Sequence, residues 1–397
     1  MPANKHSVLV SLLILLVTAV VGRADTDSAV RSPSTLRGRT GTIYEKSYEP
    51  STKSGELAFG VLYRIWIPNG VETLRGVIVH QHGCGTGSCK SGETAADDLH
   101  WQALAAKWDC ALLGPSYRQP EKADCQLWCN PKNGSDAAFQ KALAHFAWQS
   151  GHKELTTVPW ALWGHSGGGT WSGFMVLRHP ERVVGAWLRS GAPFASSLQP
   201  TEKLVIPEAA YSVPIIYNVG IKESTGRFAG GWKRGFDFFE TMRKKNALFG
   251  VAIDPRTSHE CGDSRYLAIR FLDKCLRERL PEKAGDTQLR SMTRNKPGVV
   301  LPISELKLND TKMENLPGVW LPDEEFVKDW TEYSATGHNG DTTPPPAPFE
   351  LSINPYGMMT WQATADFESG LAGFVIEHNG KGNRSRKIAK LPLHGFG

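Results

Sequence analysis

The sequence predicts an α/β protein: a mainly parallel β-sheet with helices on both faces, followed by a small incomplete all-β segment. Three observations predict it. From residue 76 to residue 280, short apolar runs of strand length take turns with longer stretches whose apolar residues recur at helical spacing. That is the pattern of a parallel sheet covered on both sides. One strand-to-helix junction carries Gly164-His165-Ser166-Gly167-Gly168, an instance of Gly-x-Ser-x-Gly. Finally, Thr342-Thr343-Pro344-Pro345-Pro346-Ala347-Pro348 reads as a stiff, extended linker over 342–348, and the tail beyond it alternates with period two.

Taken in order, Lys5 precedes an apolar run over 8–21 and then Gly22-Arg23-Ala24. These are the parts of a signal peptide over 1–24, and the run is short for a membrane span. The mature protein is therefore expected to be exported and to keep no stable membrane span. Residues 25–55 are polar and hydroxyl-rich and read as a loose N-terminus. The α/β body is expected over 56–280, with an early hairpin strand at 57–68. Strand 76–80 then runs into Gln81-His82-Gly83-Cys84-Gly85, followed by helix 94–108, strand 110–113 and helix 135–149. Strand 158–163 carries the Ser166 motif, and helix 170–178 follows with Trp171, Phe174 and Met175 at helical spacing. Strand 183–188 comes next. Between 190 and 213 the chain leaves the alternation, as a small cap over a site would. Trp128, Trp171 and Phe194 are candidates for an aromatic pocket, although core packing is the simpler account of Trp171. Strands 213–219 and 248–253 and helix 264–277 complete the body.

Residues 281–341 show few regular signals except a helix at 323–334, where Phe326, Trp330 and Tyr333 share one face behind Pro322. After the linker, runs at 349–353, 359–363 and 372–378 read as strands, the last ending in the turn signal Asn379-Gly380.

The chemistry starts from Ser166. A serine hydroxyl is a poor nucleophile until a base takes its proton, and the base must be held in one tautomer by a third group. Strand, sharp turn and helix around Ser166 form the context of a nucleophile elbow, for which the partner order is Ser, acid, His. Glu223 follows the 213–219 strand and is the chosen acid. Asp254 and Asp263, flanking the next candidate, remain open for that role. His259 lies between the last strand and the last helix of the body, where the base belongs. For the oxyanion, the Gly167 N–H follows the nucleophile directly, and the Cys84 N–H in the loop after strand 76–80 is the second expected donor.

His82-Gly83-Cys84, the Ser166 motif, the 220–223 segment and His259-Glu260 together resemble a secreted α/β-hydrolase of the polyhydroxybutyrate-depolymerase and feruloyl-esterase-like group. The resemblance covers about residues 55 to 280 and implies hydrolysis of carboxylic esters, polymeric ones included. Two features depart from it. The acid is Glu rather than the commoner Asp, and Cys84-Gly85-Thr86-Gly87-Ser88-Cys89 is not the usual continuation of the oxyanion loop. The Trp361 strand, the 366–370 turn and the Phe374-Val375-Ile376 strand resemble the front half of a fibronectin type III module. A complete sandwich takes about 100 residues, so the tail over 349–397 reads as half of one. Half a sandwich is expected to be poorly ordered or to lean on another surface.

Composition bounds the alternatives. The net charge of +5 is spread without basic blocks, which argues against nucleic-acid binding. Seven cysteines in an exported chain favour disulfides, with Cys84–Cys89 and Cys125–Cys129 as the local pairs. Paired metal-ligand spacings are missing, and the proposed chemistry requires no metal or organic cofactor. Two rival readings are a serine peptidase on the same fold and a non-catalytic carbohydrate- or surface-binding protein. A complete set of three groups in order speaks against the second.

Overall fold

The structure is a computed structural model describing residues 40–90, 92–193, 204–292, 298–306, 315–379 and 385–392. The expected signal peptide lies outside the described residues, as do residues 194–203 of the expected cap, Phe194 among them. The strands of the body are β1 (Gly41–Tyr48), β2 (Val61–Pro68), β3 (Gly76–Gln81), β4 (Cys110–Tyr117), β5 (Trp160–His165), β6 (Val183–Arg189), β7 (Ile215–Gly220) and β8 (Phe249–Asp254). They form one eight-stranded sheet in the order β1-β2-β4-β3-β5-β6-β7-β8. β2 runs antiparallel to β1 and β4, and all other neighbours from β4 to β8 are parallel. This is the arrangement of the α/β-hydrolase fold.

The helices are α1 (Thr86–Lys90), α2 (Gly92–Ala95), α3 (Leu99–Lys107), α4 (Gln126–Cys129), α5 (Ser135–Ser150), α6 (Gly167–Arg178), α7 (Ala229–Arg243), α8 (Ser264–Arg279) and α9 (Glu324–Thr336). The expected helix over 94–108 is broken because Asp98 caps a fresh one: its carboxylate accepts from the His100 and Trp101 N–H groups. Helix α7 has no counterpart in the sequence reading. Gly230, Gly231 and Gly235 hide it, yet Trp232, Phe236, Phe239 and Met242 form one buried face.

Successive strand residues face opposite sides of a sheet, so Trp160 and Trp163 of β5 point to opposite faces. Trp160 packs edge-on against Phe139 of α5, at 5.0 Å between ring centroids, and Trp163 lies 6.0 Å from Trp101 of α3. Helices therefore cover both sides. Trp187, the register partner of Trp163 in β6, meets Phe271 of α8.

The reading of 25–55 as loose is corrected for part of its length. Residues 41–48 are the edge strand β1, paired with β2 from Gly41↔Pro68 to Tyr48↔Val61. An edge strand presents one side to water, so its polar alternation hid it. Trp128 and Trp171, two of the candidates for an aromatic pocket, are both fully buried, which is the core packing expected as the simpler account of Trp171. Trp128 stacks on Tyr117, and the Trp171 indole N–H donates to the Ser135 hydroxyl.

Within 281–341, β9 (Val299–Leu301) pairs with β10 (Val319–Leu321), and α9 straps across β8. Asp323 caps α9 by accepting from the Phe326 N–H, and Gly337 ends it at φ 74°. Phe326, Trp330 and Tyr333 are buried, and the Trp330 indole donates to the Val251 carbonyl at 2.7 Å. In the tail, β11 (Phe349–Ile353) pairs with β12 (Met359–Gln362), and β13 (Gly373–Asn379) with β14 (Ser385–Pro392). These are separate two-stranded sheets. The tail leans on α3, where the His100 Nε2–H donates to the Phe367 carbonyl at 2.9 Å and the Lys107 ammonium sits 4.1 Å over the Phe367 ring.

The strap and the tail should differ sharply in their weight for stability. Trp330→Ala is expected to lower the unfolding free energy by about 3–5 kcal/mol, the usual cost of emptying a buried tryptophan site. Removing residues 342–397 should lower the thermal midpoint by no more than about 4 °C, as the loss of about one kcal/mol would. Denaturant and thermal unfolding of the two variants measure this difference.

Candidate active site

Ser166 sits between β5 and α6 at φ 55° and ψ −117°, a conformation that an L side chain rarely adopts. Its neighbours make the turn feasible. A Cβ on Gly164 would lie 2.2 Å from the Gly168 carbonyl oxygen, and one on Gly168 would lie 2.3 Å from that of Gln81. Only glycine lets these backbones approach so closely. The Ser166 N–H donates to the Arg189 carbonyl at 2.7 Å, and its own carbonyl accepts from Thr170 N–H at 3.0 Å, the first turn of α6.

His259 lies in the loop between β8 and α8. Its Nε2 is 2.8 Å from the Ser166 Oγ, and its Nδ1 is 2.8 Å from the Glu223 Oε2. Glu223 stands in the short turn after β7, buried, with its second oxygen Oε1 accepting from the Ser190 hydroxyl at 2.6 Å and the Gly220 N–H at 3.2 Å. Backbone contact holds the two loops together: Lys222 N–H donates to the Thr257 carbonyl, and a Cβ on Gly220 would come within 2.3 Å of the Ser258 carbonyl oxygen.

The other two carboxylates considered for the acid lie elsewhere. Asp254 accepts from the Arg256 N–H and, at 3.4 Å, from the Tyr333 hydroxyl. Asp263 pairs with the Arg256 guanidinium at 2.9 Å. Of the three carboxylates, the structure puts Glu223 against the His259 ring.

The loop after β3 lies over the serine. A Cβ on Gly83 would be 2.9 Å from that of Ser166, and one on Gly167 would be 2.2 Å from the Cys84 sulfur. Cys84 is disulfide-bonded to Cys125, with 5.8 Å between their Cα atoms. This corrects both expected local pairs, Cys84–Cys89 and Cys125–Cys129; Cys129 is free and buried. The reason is topological: β3 and β4 are parallel neighbours, so the segments leaving their carboxyl ends meet although they are far apart in sequence. Below the disulfide, Gln119 Oε1 accepts from the Trp128 indole at 2.7 Å and from the Gly85 N–H at 3.4 Å.

Four groups escaped the sequence reading. His165 Nε2–H donates to the His259 carbonyl at 2.5 Å, fixing the backbone at His259. Burial depresses its pKa to about 3, so the ring is neutral and its tautomer is set by that bond. Phe228 stacks on the His259 ring at 4.0 Å between centroids. Arg189 is fully buried, with its guanidinium donating to Glu260 O, Ser258 O, Thr257 Oγ1 and Asn218 Oδ1. Ser190 holds Glu223. The only local signal was the position of His165 inside the serine motif, because the others act through contacts between distant segments.

No family model and no curated protein matches the sequence. Solved structures similar to it include a thermostable esterase at 13% identity, with 53% of this chain and 54% of that one covered and a TM-score of 0.38. A ferulic acid esterase is 12% identical, with 60% of this chain and 98% of that one covered and a TM-score of 0.42. The S-formylglutathione hydrolase FrmB from Staphylococcus aureus is 13% identical, with coverage of 61% and 97% and a TM-score of 0.37. The chain spans about half the length of the first of these. Among the described residues, no group of three or more His, Cys, Asp or Glu is placed to hold a metal ion, and no helix is long and apolar enough to cross a membrane.

Two tests follow from this geometry. The Cys84–Cys125 bridge closes a sequence separation of 41 residues. By the chain-entropy estimate, the Cys84→Ala/Cys125→Ala double variant should lose about 4 kcal/mol of stability. Non-reducing peptide mapping should recover the Cys84 and Cys125 peptides joined. Separately, burial holds His82 at a pKa of about 4 and His165 at about 3. Unfolded histidines titrate near 6.5, so between about pH 6.5 and 4 the unfolded chain takes up protons that the folded one refuses. Stability should therefore fall as pH drops through that window, in denaturant titrations at pH 7, 6 and 5.

Proposed function

We propose that this chain is an exported serine hydrolase that cleaves carboxylic esters through an acyl-enzyme on Ser166. The observation that carries the reading is the continuous relay from Ser166 Oγ through His259 to Glu223, with 2.8 Å at each link, built on a serine held at φ 55°. His259 Nε2 takes the hydroxyl proton as Oγ attacks the acyl carbon, then gives it to the departing alcohol. Glu223 keeps the imidazole in the tautomer whose Nε2 is free to accept and stabilises the imidazolium that forms. Water then repeats the attack, with His259 as base, and releases the acid. The N–H groups of Gly167 and Cys84 serve the oxyanion, and the closeness of Gly83, Cys84 and Gly167 to the nucleophile supports that role. The ester class is supported by the resemblance around His82-Gly83-Cys84 and the serine motif. The tail over 349–397 is proposed as half a fibronectin type III-like module, separate from the chemistry.

On p-nitrophenyl esters, Ser166→Ala should lower kcat by about 10⁴-fold or more with the fold intact, leaving only residual catalysis from binding and the oxyanion donors. A fluorophosphonate probe should label Ser166 in the parent protein. Glu223→Gln should cost about 10³-fold or more, and Asp254→Asn far less, since of these two carboxylates Glu223 is the one bonded to the ring. Steady-state kinetics of the three variants measure this; an unimpaired Ser166→Ala protein ends the proposal.

A further inference from the structure

Glu223 presents one carboxylate oxygen to His259 and keeps the other, Oε1, away from it. That second oxygen is held by the Ser190 hydroxyl at 2.6 Å, with the Gly220 N–H at 3.2 Å. Ser190 comes from neither the acid's turn nor the base's loop. It is the first residue past β6, and its backbone is at φ 54°. Glycine or asparagine is the usual occupant of such a position, and serine there is strained. The neighbourhood leaves the backbone no other path. The Ser190 N–H donates to the Asn218 carbonyl at 2.7 Å, and a Cβ on the following Gly191 would lie 1.9 Å from the Ser166 carbonyl oxygen. The preceding residue, Arg189, accepts the Ser166 N–H with its carbonyl and grips the 257–260 loop with its guanidinium. The end of β6 therefore touches the nucleophile, the base's loop and the acid at once.

Resting on the serine-hydrolase reading above, we infer that Ser190 is a positioning residue for the reaction: its hydroxyl pins Glu223 so that Oε2 faces the His259 Nδ1. A carboxylate free to rotate would share its orientations between useful and useless ones. A carboxylate bound on Oε1 by two donors has one orientation, and its charge is partly neutralised. Keeping a strained serine where glycine is easier is explained by the need for that hydroxyl.

The other titratable and charged groups around the pair come from several elements. Tyr217 on β7 faces Glu223. His165 from β5 and Arg189 from β6 lie beside the His259 loop. Lys222 stands in the acid's own turn and Glu260 in the base's loop; His82 lies near His165, Arg234 of α7 near Tyr217, and Arg227 over the Phe228 ring that stacks on His259. None of these changes in a Ser190 variant, so a shift of the pH profile reports the hydroxyl.

The decisive variant is Ser190→Gly, which relieves the strained backbone while removing the hydroxyl; Ser190→Ala is its companion. Ser190→Gly should stay folded, melt at or above the temperature of Ser190→Ala because glycine accepts the positive φ, and still be labelled at Ser166 by a fluorophosphonate. With p-nitrophenyl butyrate, kcat should fall about tenfold or more in both variants with KM little changed, the loss expected from a charge-assisted hydrogen bond. The acidic limb of the kcat/KM profile should move up by about half a unit to one unit, because a carboxylate short of one donor holds the imidazolium proton more strongly. A folded Ser190→Gly protein with parental kcat and an unmoved acidic limb overturns the inference, even if Ser166→Ala is dead. If Ser166→Ala keeps parental turnover, the serine-hydrolase reading fails and the role of Ser190 falls with it.

Discussion

Everything at the site depends on one steric constraint: three backbone segments pass each other at contact distance around Ser166. Cβ atoms at Gly164, Gly168 and Gly191 would each collide with a neighbouring carbonyl oxygen, at 2.2, 2.3 and 1.9 Å. The three glycines bring the end of β5, the loop after β3 and the end of β6 together, and the serine is forced into positive φ as a result. A hydroxyl on that turn stands clear of the helix that follows. The strain is local; the packing that holds it is spread across the sheet.

The polar groups beneath the turn are arranged with few free choices. Arg189 is fully buried and donates to four neutral oxygens rather than pairing with one carboxylate. A buried charge is costly unless its hydrogen-bonding capacity is met. Meeting it with carbonyls of the 257–260 loop ties the loop that carries His259 to β6. Glu223 shows the same economy: one oxygen is satisfied by Ser190 and Gly220, which leaves the other for the imidazole. Each charge thereby orders a loop that would otherwise be long and loosely packed.

Outside the sheet, the strap is bound far more firmly than the tail. Helix α9 buries three aromatic residues and adds a hydrogen bond to β8, whereas the tail meets the rest of the chain through Phe367 and Gly370 against His100, Phe367 under Lys107, and the Ser369 hydroxyl on Asp341. Leu351, Ile353, Tyr356 and Met358 of the first tail hairpin are exposed. The hairpin's apolar residues thus add little to the core, in keeping with the limited stability of two-stranded sheets.

By itself the sequence pointed to the alternation of the body, the serine turn, His259 downstream of it and the aromatic face of α9. Each is a local pattern: apolar period, glycine spacing and position after a strand are written in consecutive residues. It did not determine β1, whose edge position allows polar alternation, or α7, whose glycines mask an apolar face. It favoured Glu223 as the acid but did not exclude Asp254 or Asp263, and it did not pair Cys84 with Cys125. Those outcomes depend on which strands are neighbours. Parallel neighbours deliver their following loops to the same edge of the sheet, so residues far apart in the chain meet there, and no local pattern records the meeting. Ser190 and Arg189 belong to the same class: their side chains are ordinary in sequence, and only the placement of β6 between β5 and β7 gives them Ser166, Glu223 and the His259 loop as neighbours.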